Sequence, residues 1–212
     1  MTDVKRVNKR TEKAAQTRRC ILDAAGDLFV DQGYGATNMQ EVAERAGVAV
    51  QTVYFVFGNK RRLLKELVDV TIAGDDEPVA TMNRPWFRDA LAAGTAEAQL
   101  RAHVRGTREI LDRVAAITKM VATAAATDAE VAQLWPHGDD PRHEVQAAAA
   151  KALVAKPGAR AGVSAETAAD LLYCLLSTEL YLLFVRDRGW SPEQWEQWAF
   201  DTLRPQLCQA PA

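Results

Sequence analysis

Residues 37–64 read TNMQEVAERAGVAVQTVYFVFGNKRRLL, two short helical patterns hinged at Gly47 and followed at once by a helix start led by Lys60. In the first pattern Thr37 or Asn38 can cap a helix whose apolar Met39, Val42, Ala43 and Ala46 recur at the 3.6-residue period. Gly47 stops it, because glycine enters the left-handed backbone of a helix end without a Cβ penalty, and Val48 can pack back on the helix just left. The segment 49–55 is too short to be stable alone. Its Val50, Val53 and Tyr54 give it an apolar edge to dock on the first helix, and its other edge is free. These lengths match a helix-turn-helix, whose second helix fits the major groove of DNA.

Upstream, Ile21, Leu22, Ala25, Leu28 and Phe29 form one face of a helix from about residue 12 to 32, ended by Gly33, which completes a three-helix core. Before it stand Lys5, Arg6, Lys9, Arg10, Lys13, Arg18 and Arg19, a basic arm able to reach phosphates or a minor groove, or else a solvated tail. Residues 1–65 hold 12 Lys or Arg against 7 Asp or Glu, a net of +5, whereas residues 66–212 hold 14 against 21, a net of −7. The basic excess coincides with the helix-turn-helix, as expected of a DNA reader, although the whole chain is at −2.

Phe29, Gly33, Tyr34, Thr37, the run 41–48 (EVAERAGV) and the run 52–60 (TVYFVFGNK) resemble the tetracycline-repressor (TetR) family of bacterial transcription regulators. The likeness covers about the first 65 residues and is only loose near residues 180–198. It implies that Thr37 meets a phosphate at the start of the second helix, that 49–55 is the recognition helix, and that Tyr54 and Lys60 grip phosphates. A helix start beside Lys60 aims unpaired N–H groups and a positive dipole end at an anion, in agreement. Arg61 and Arg62 either join it or are merely solvated. Tyr54 otherwise reads as a half-buried aromatic with its hydroxyl at the rim, and Phe57 reads as core. Gln51 and Thr52 are the candidates for base edges, and Val50 for a thymine methyl. Family members usually carry a small hydroxyl residue where Ala49 stands, and often His or Arg where Phe55 stands. Position 49 therefore lacks a side-chain cap, worth about 1 kcal/mol.

The remaining residues, 66–212, are enough for a second domain with its own core, giving a reader at 1–65 and a second domain at 66–212. Ala, Leu, Glu and Arg at helical spacing, with no sustained period-two alternation, make the whole chain all-α. A fourth helix runs from about 59 to 73, a short turn holds Pro85, Trp86 and Phe87, and a long helix spans about 96–123. The run 135–141 (WPHGDDP) breaks the pattern. A helix follows over 142–155, then another from Ser164 to about 187, and a last one begins at Ser191-Pro192-Glu193 with Trp195, Trp198, Ala199, Thr202 and Leu203 on one face. The block 171–185 is apolar almost all round, so a partner subunit is expected to cover it. The last two helices are expected to form a four-helix bundle across a two-fold axis, through Leu176, Leu180, Leu183, Trp195, Trp198 and Leu203.

Cys20, Cys174 and Cys208, widely spaced, are expected to be reduced, buried thiols. The start lacks a secretory signal, and 171–185 is interrupted by Ser177, Thr178 and Glu179 and is too short to span a bilayer, so a cytoplasmic protein is expected, with no membrane partner. His103, His137 and His143 lack metal-ligand spacing, and no catalytic grouping or Gly-rich phosphate loop appears. No enzyme, metal or cofactor is therefore expected. The resemblance implies a small-molecule pocket in the acidic domain, whose occupancy respaces the two readers of a dimer and releases DNA. Trp86, Phe87, His103, Met120, Trp135 and Tyr173 are candidates for its lining, although each fits an ordinary core as well. The expected function is a homodimeric, ligand-responsive regulator, most simply a repressor, on a palindromic operator in double-stranded DNA, its effector unidentified. An activator, a co-repressor-dependent regulator or a non-specific structural DNA-binding protein are the alternatives.

Overall fold

The computed structural model describes residues 2–74, 80–134 and 141–210, with side chains from residue 11 onward. Its helices are α1 (Thr2–Asp31), α2 (Met39–Ala46), α3 (Val50–Phe57), α4 (Lys60–Ala73), α5 (Pro85–Ala92), α6 (Ala96–Ala125), α7 (Ala129–Ala132), α8 (Pro141–Val154), α9 (Ala165–Leu175), α10 (Thr178–Leu182) and α11 (Pro192–Leu207). No strand occurs among the described residues, and one isolated bridge pairs Ala159 with Cys208. The all-α reading is therefore correct.

By packing, the chain divides into two compact units, residues 1–71 with 116–136, and residues 72–115 with 137–212. In the first, α1 buries Ile21, Leu22, Ala25, Leu28 and Phe29, the face expected from its periodicity. Against them lie Met39, Val42 and Ala43 of α2, Val53 and Phe57 of α3, and Leu63, Leu64, Leu67 and Val68 of α4. Met120 and Val131 complete this core. The expected start of α1 near residue 12 is too late, since the helix already includes residues 2–10, the stretch expected as a basic arm.

The second unit is built around Phe87, Leu100, Val104, Leu111, Leu153, Leu172, Leu176, Trp195 and Leu203. Pro85, Trp86 and Phe87, expected as a turn, open the eight-residue helix α5, with proline at its first position where a missing N–H costs nothing. The run 135–140 lies outside the described residues, and with it Trp135 and His137. Ser164 caps α9, its hydroxyl accepting from Thr167 N at 3.0 Å. At α11, Ser191 Oγ accepts from Gln194 N at 3.2 Å while Gln194 Oε1 accepts from Ser191 N at 2.8 Å, a reciprocal cap.

One expected element is divided. The helix expected to run from Ser164 to about 187 ends at Leu175, because Ser177 takes extended backbone and its hydroxyl accepts from Leu180 N at 3.3 Å, starting α10. A serine hydroxyl offers the backbone an alternative to the continuous helical ladder. A π-helical turn, Leu183–Asp187, follows. Taken together, Ala165–Asp187, a longer stretch than the block 171–185, is long and apolar enough to cross a membrane by length and composition. The break at Ser177 and the burial of Leu172, Leu176 and Tyr181 in the second unit's core make it a core element instead. Cys208 is buried and Cys20 partly so, but Cys174 is exposed, correcting the expectation of buried thiols throughout.

Candidate nucleic-acid interface

The hinge of the helix pair is built by local chemistry. Asn38 Oδ1 accepts from Gln40 N and Glu41 N, both at 3.0 Å, and Glu41 Oε2 accepts from Asn38 N at 2.9 Å, so Asn38 rather than Thr37 caps α2. At the other end Gly47 has φ +68°, which a Cβ would strain. Its N–H donates to Glu44 O at 3.2 Å, and Val48 N donates to Ala43 O at 3.0 Å, closing the helix and turning the chain into α3. Ala49 precedes α3 with no side-chain cap bond, as its missing hydroxyl implied.

The sequence of α3 sorts into two faces. Val53 and Phe57, four residues apart, are fully buried, with Val50 and Val56 packed partly against the same core. Tyr54, expected on that docking edge, is instead 52% exposed, because one residue of helix rotates it about 100° from Val53. Phe55 is 91% exposed and Gln51 is exposed beside it, while Thr52 is half-buried. The structure therefore brings Ala49, Gln51, Tyr54 and Phe55 onto one open surface.

Thr37 and Lys60 are placed differently from their expected phosphate roles. Thr37 is buried, its hydroxyl donating to Gly33 O at 2.9 Å and lying 3.3 Å from Leu28 O, and its N–H bonded to Gly33 O. A side chain spent inside the loop has nothing left to present to a phosphate. Lys60 Nζ donates to Tyr34 O at 2.8 Å and Thr37 O at 2.7 Å, and lies 4.2 Å from the centre of the Tyr34 ring. Burial pushes the Lys60 ammonium below its ordinary value, partly offset by the Asp128 and Glu41 carboxylates. Lys60 thus braces the loop between α1 and α2. Asn59 Oδ1, accepting from Arg62 N at 2.9 Å, begins α4 beside it.

Charge-assisted bonds to carbonyls carry an appreciable cost when one partner is removed. Lys60→Met is therefore expected to lower the stability of the first unit by about 1–3 kcal/mol, seen as a lower melting temperature. An unchanged melt together with a salt slope of DNA binding reduced by about one would return Lys60 to a phosphate contact.

The other cations near this surface also have intramolecular partners. Arg18 pairs with Glu66 at 2.7 Å and stands over the Phe57 ring, Arg62 pairs with Glu66 at 2.9 Å, and Arg61 pairs with Glu130. Arg61 and Arg62 are thus more than solvated, although exposed pairs of this kind add little stability.

In the second unit, Trp86, Phe87 and His103 come together. The His103 ring lies 6.1 Å from Trp86 and 6.0 Å from Phe87, and Gly106, one turn on, lets the Trp86 ring lie where a Cβ would overlap it. His103 is buried, with Nε2 2.7 Å from Gln146 Oε1, and its Nδ1 has no hydrogen-bond partner. Gln99, one turn earlier, donates to Ala149 O at 2.7 Å and leaves its Oε1 without a partner. The other candidates lie elsewhere. Met120 belongs to the first unit's core, and Tyr173 packs on His143 at 5.6 Å, with Arg142 over its ring at 3.7 Å. An open cleft of about 330 Å³ over α8 and α9, lined by His143, Ala147, Lys151, Ala165, Glu166, Ala169 and Asp170, is a further concavity that sequence reasoning missed.

Burial pushes the His103 pKa below its ordinary value of 6.5, only partly countered by the Gln146 hydrogen bond. The folded state therefore binds this proton less readily than the unfolded chain. Stability tied to His103 is complete above pH 6.5 and is lost as pH falls below it, by at most about 1.4 kcal/mol per pH unit, until the folded ring itself titrates. Melting curves from pH 7.5 to 5 are expected to fall more steeply for the wild type than for His103→Leu. Parallel profiles would contradict a buried neutral ring.

Of the expected dimer residues, Leu176, Trp195 and Leu203 are fully buried within the chain's own core, so they are not available to a partner. Leu180 and Trp198 are partly exposed and Leu183 is 48% exposed. Phe184 sits 4.5 Å from both Trp190 and Trp198, an aromatic cluster that the apolar spacing did not single out.

Residues 21–67 match the family model described as bacterial regulatory proteins, tetR family. The chain is 37% identical over 84 residues to the HTH-type transcriptional activator FasR of Mycolicibacterium smegmatis, covering 37% of this chain and 38% of that protein. It spans well under half the length of the curated relatives it matches. The fold extends further. A TetR-family regulator from Mesorhizobium loti superposes with a TM-score of 0.67 at 21% identity, over 92% of this chain and 98% of that one. A transcriptional regulator from Saccharomonospora viridis, solved in complex with choline, superposes with a TM-score of 0.65 at 18% identity, over 92% and 100%. The helix-turn-helix assembled from α2 and α3 lies wholly inside the matched segment, so residues 21–67 are similar to the tetR family of bacterial regulatory proteins.

Proposed function

We propose that the chain is a transcription regulator, not an enzyme, that binds a palindromic operator as a homodimer and leaves it when a small molecule occupies the second unit. The observation that carries this reading is α3, whose Val53 and Phe57 anchor it while Gln51, Tyr54 and Phe55 stay open to a partner. Residues 1–65, with their net +5, supply the attraction to phosphate. Two-fold pairing sets two such helices about 34 Å apart, the spacing of successive major grooves on one face of DNA. The half-exposed Leu183 and the cluster of Phe184, Trp190 and Trp198 supply an apolar surface for that pairing.

An effector site is supported by the Trp86, Phe87 and His103 group. Buried polar atoms without partners are uncommon in a finished core, and His103 Nδ1 and Gln99 Oε1 are two such acceptors on adjacent turns of α6. A molecule enclosed there releases DNA by favouring the respaced dimer. A shift from 1:99 to 99:1 takes about 5.5 kcal/mol of preference. The cytoplasm, where operator DNA is reached, is the proposed location. The activator alternative has one specific support, the name of FasR.

The reading is tested by fluorescence anisotropy of a labelled operator, titrated with the protein while a small-molecule library is screened. Release by an effector whose potency falls in His103→Leu supports a ligand-released repressor. Binding tightened by the effector favours the co-repressor-dependent alternative.

A further inference from the structure

We infer that this chain selects A·T base pairs under its recognition helix, with Phe55 the principal thymine reader through the C5-methyl group. The inference rests on the proposed DNA-binding function and specifies the base chemistry of that same surface.

Residues 49–57, AVQTVYFVF, contain no charged side chain. In the major groove guanine is most commonly recognised by Arg or Lys across O6 and N7, and cytosine through its N4 donor by Asp or Glu. None of these is present on α3. What α3 offers to the outside is Gln51, exposed, Tyr54, 52% exposed, and Phe55, 91% exposed, with the methyl-bearing Val50 and Thr52 half-buried at the margin. Gln matches adenine N6 and N7, while the apolar groups match only one major-groove feature, the thymine methyl. Gln51 and Phe55 stand four residues apart, so both point the same way from α3.

Phe55 is the most exposed of the large hydrophobic side chains among the described residues, and no core cluster includes it. A bare aromatic ring on the open face of a helix inside the tetR-family match suits a polyanion that also offers methyl groups in a groove.

The test uses the full-length protein and sites enriched from a random DNA pool. Each thymine of an enriched site is replaced singly by deoxyuridine, which removes only the methyl, and affinities are measured for the wild type and Phe55→Ala. One or two thymines in each half-site are expected to lose about fourfold in wild-type affinity on demethylation, the effect of withdrawing one methyl-sized group from contact. Phe55→Ala is expected to be indifferent to the same replacements and to melt with the wild type. Enriched sites with G·C pairs at the protected major-groove positions and no response to deoxyuridine would overturn the inference while leaving sequence-specific DNA binding intact. Failure to enrich any sequence would overturn both. Equal uracil sensitivity in Phe55→Ala would remove Phe55 from the readout.

Discussion

Phe57→Ala is expected to destabilise the first unit by about 3–5 kcal/mol and to abolish operator binding near 37 °C. Phe57 is fully buried and joins the cluster that contains Phe29, Val53, Leu63 and Leu64. It closes α3 immediately before Gly58, so the ring fixes α3 and the path into α4 at one point. Truncation leaves a cavity in this core, and a domain of this size has only about 5–15 kcal/mol in reserve. Phe55→Ala, two residues earlier, is the internal control. Its side chain is 91% exposed, and its stability should lie within about 0.5 kcal/mol of the wild type. Urea denaturation followed by circular dichroism measures both. Equal losses from the two variants would refute the facing of α3.

Trp195→Ala is expected to cost the second unit a similar amount, about 3–5 kcal/mol, read from its thermal denaturation. Trp195 is fully buried in α11 and meets the Tyr181 ring edge-to-face at 5.1 Å. The Tyr181 hydroxyl donates to Asp112 at 2.8 Å, which ties α10 to α6. Burial and the Asp112 carboxylate push the Tyr181 pKa above its usual range, so the hydroxyl stays protonated and the bond persists across neutral pH. Loss of the indole would withdraw the ring against which Tyr181 is set. Trp195→Phe should cost much less, because the indole Nε1 donates to no partner and phenylalanine gives up no hydrogen bond. A Trp195→Phe variant as damaged as Trp195→Ala would mean that the nitrogen has a bonding role.

What could be read from the chain followed from how local the determining forces are. Asn38 and Glu41 cap one another across three residues, Gly47 needs its left-handed backbone, and Ser191 and Gln194 repeat the reciprocal cap, so these three helix ends are set within a few positions. The buried face of α1 followed in the same way from its period. Lys60 was different, since the carbonyls of Tyr34 and Thr37 lie 26 and 23 residues away, and nothing near Lys60 indicates that a loop closes over its ammonium.

Helix phase misled in two places. Tyr54 is apolar enough to dock, but with Val53 and Phe57 inward it must turn outward. From the end of α9 through α11 the apolar Leu176, Trp195 and Leu203 satisfy the chain's own core, leaving Leu183 and Trp198 at least partly toward solvent. Hydrophobicity alone does not say whether a face meets its own chain or another. The hydroxyl of Ser177 outweighed the apolar run around it because a capped start satisfies backbone groups that a continuous helix would otherwise bond.

The central claim is that two copies of α3 read a two-fold DNA sequence. It is tested most directly by incubating the purified protein with random duplex DNA at near-physiological salt, selecting bound molecules over several rounds and sequencing them. Enrichment of one palindrome, with half-sites centred about one helical turn or a multiple of it apart, is the predicted result. A pool that stays random, or an enriched site without two-fold symmetry, would contradict it.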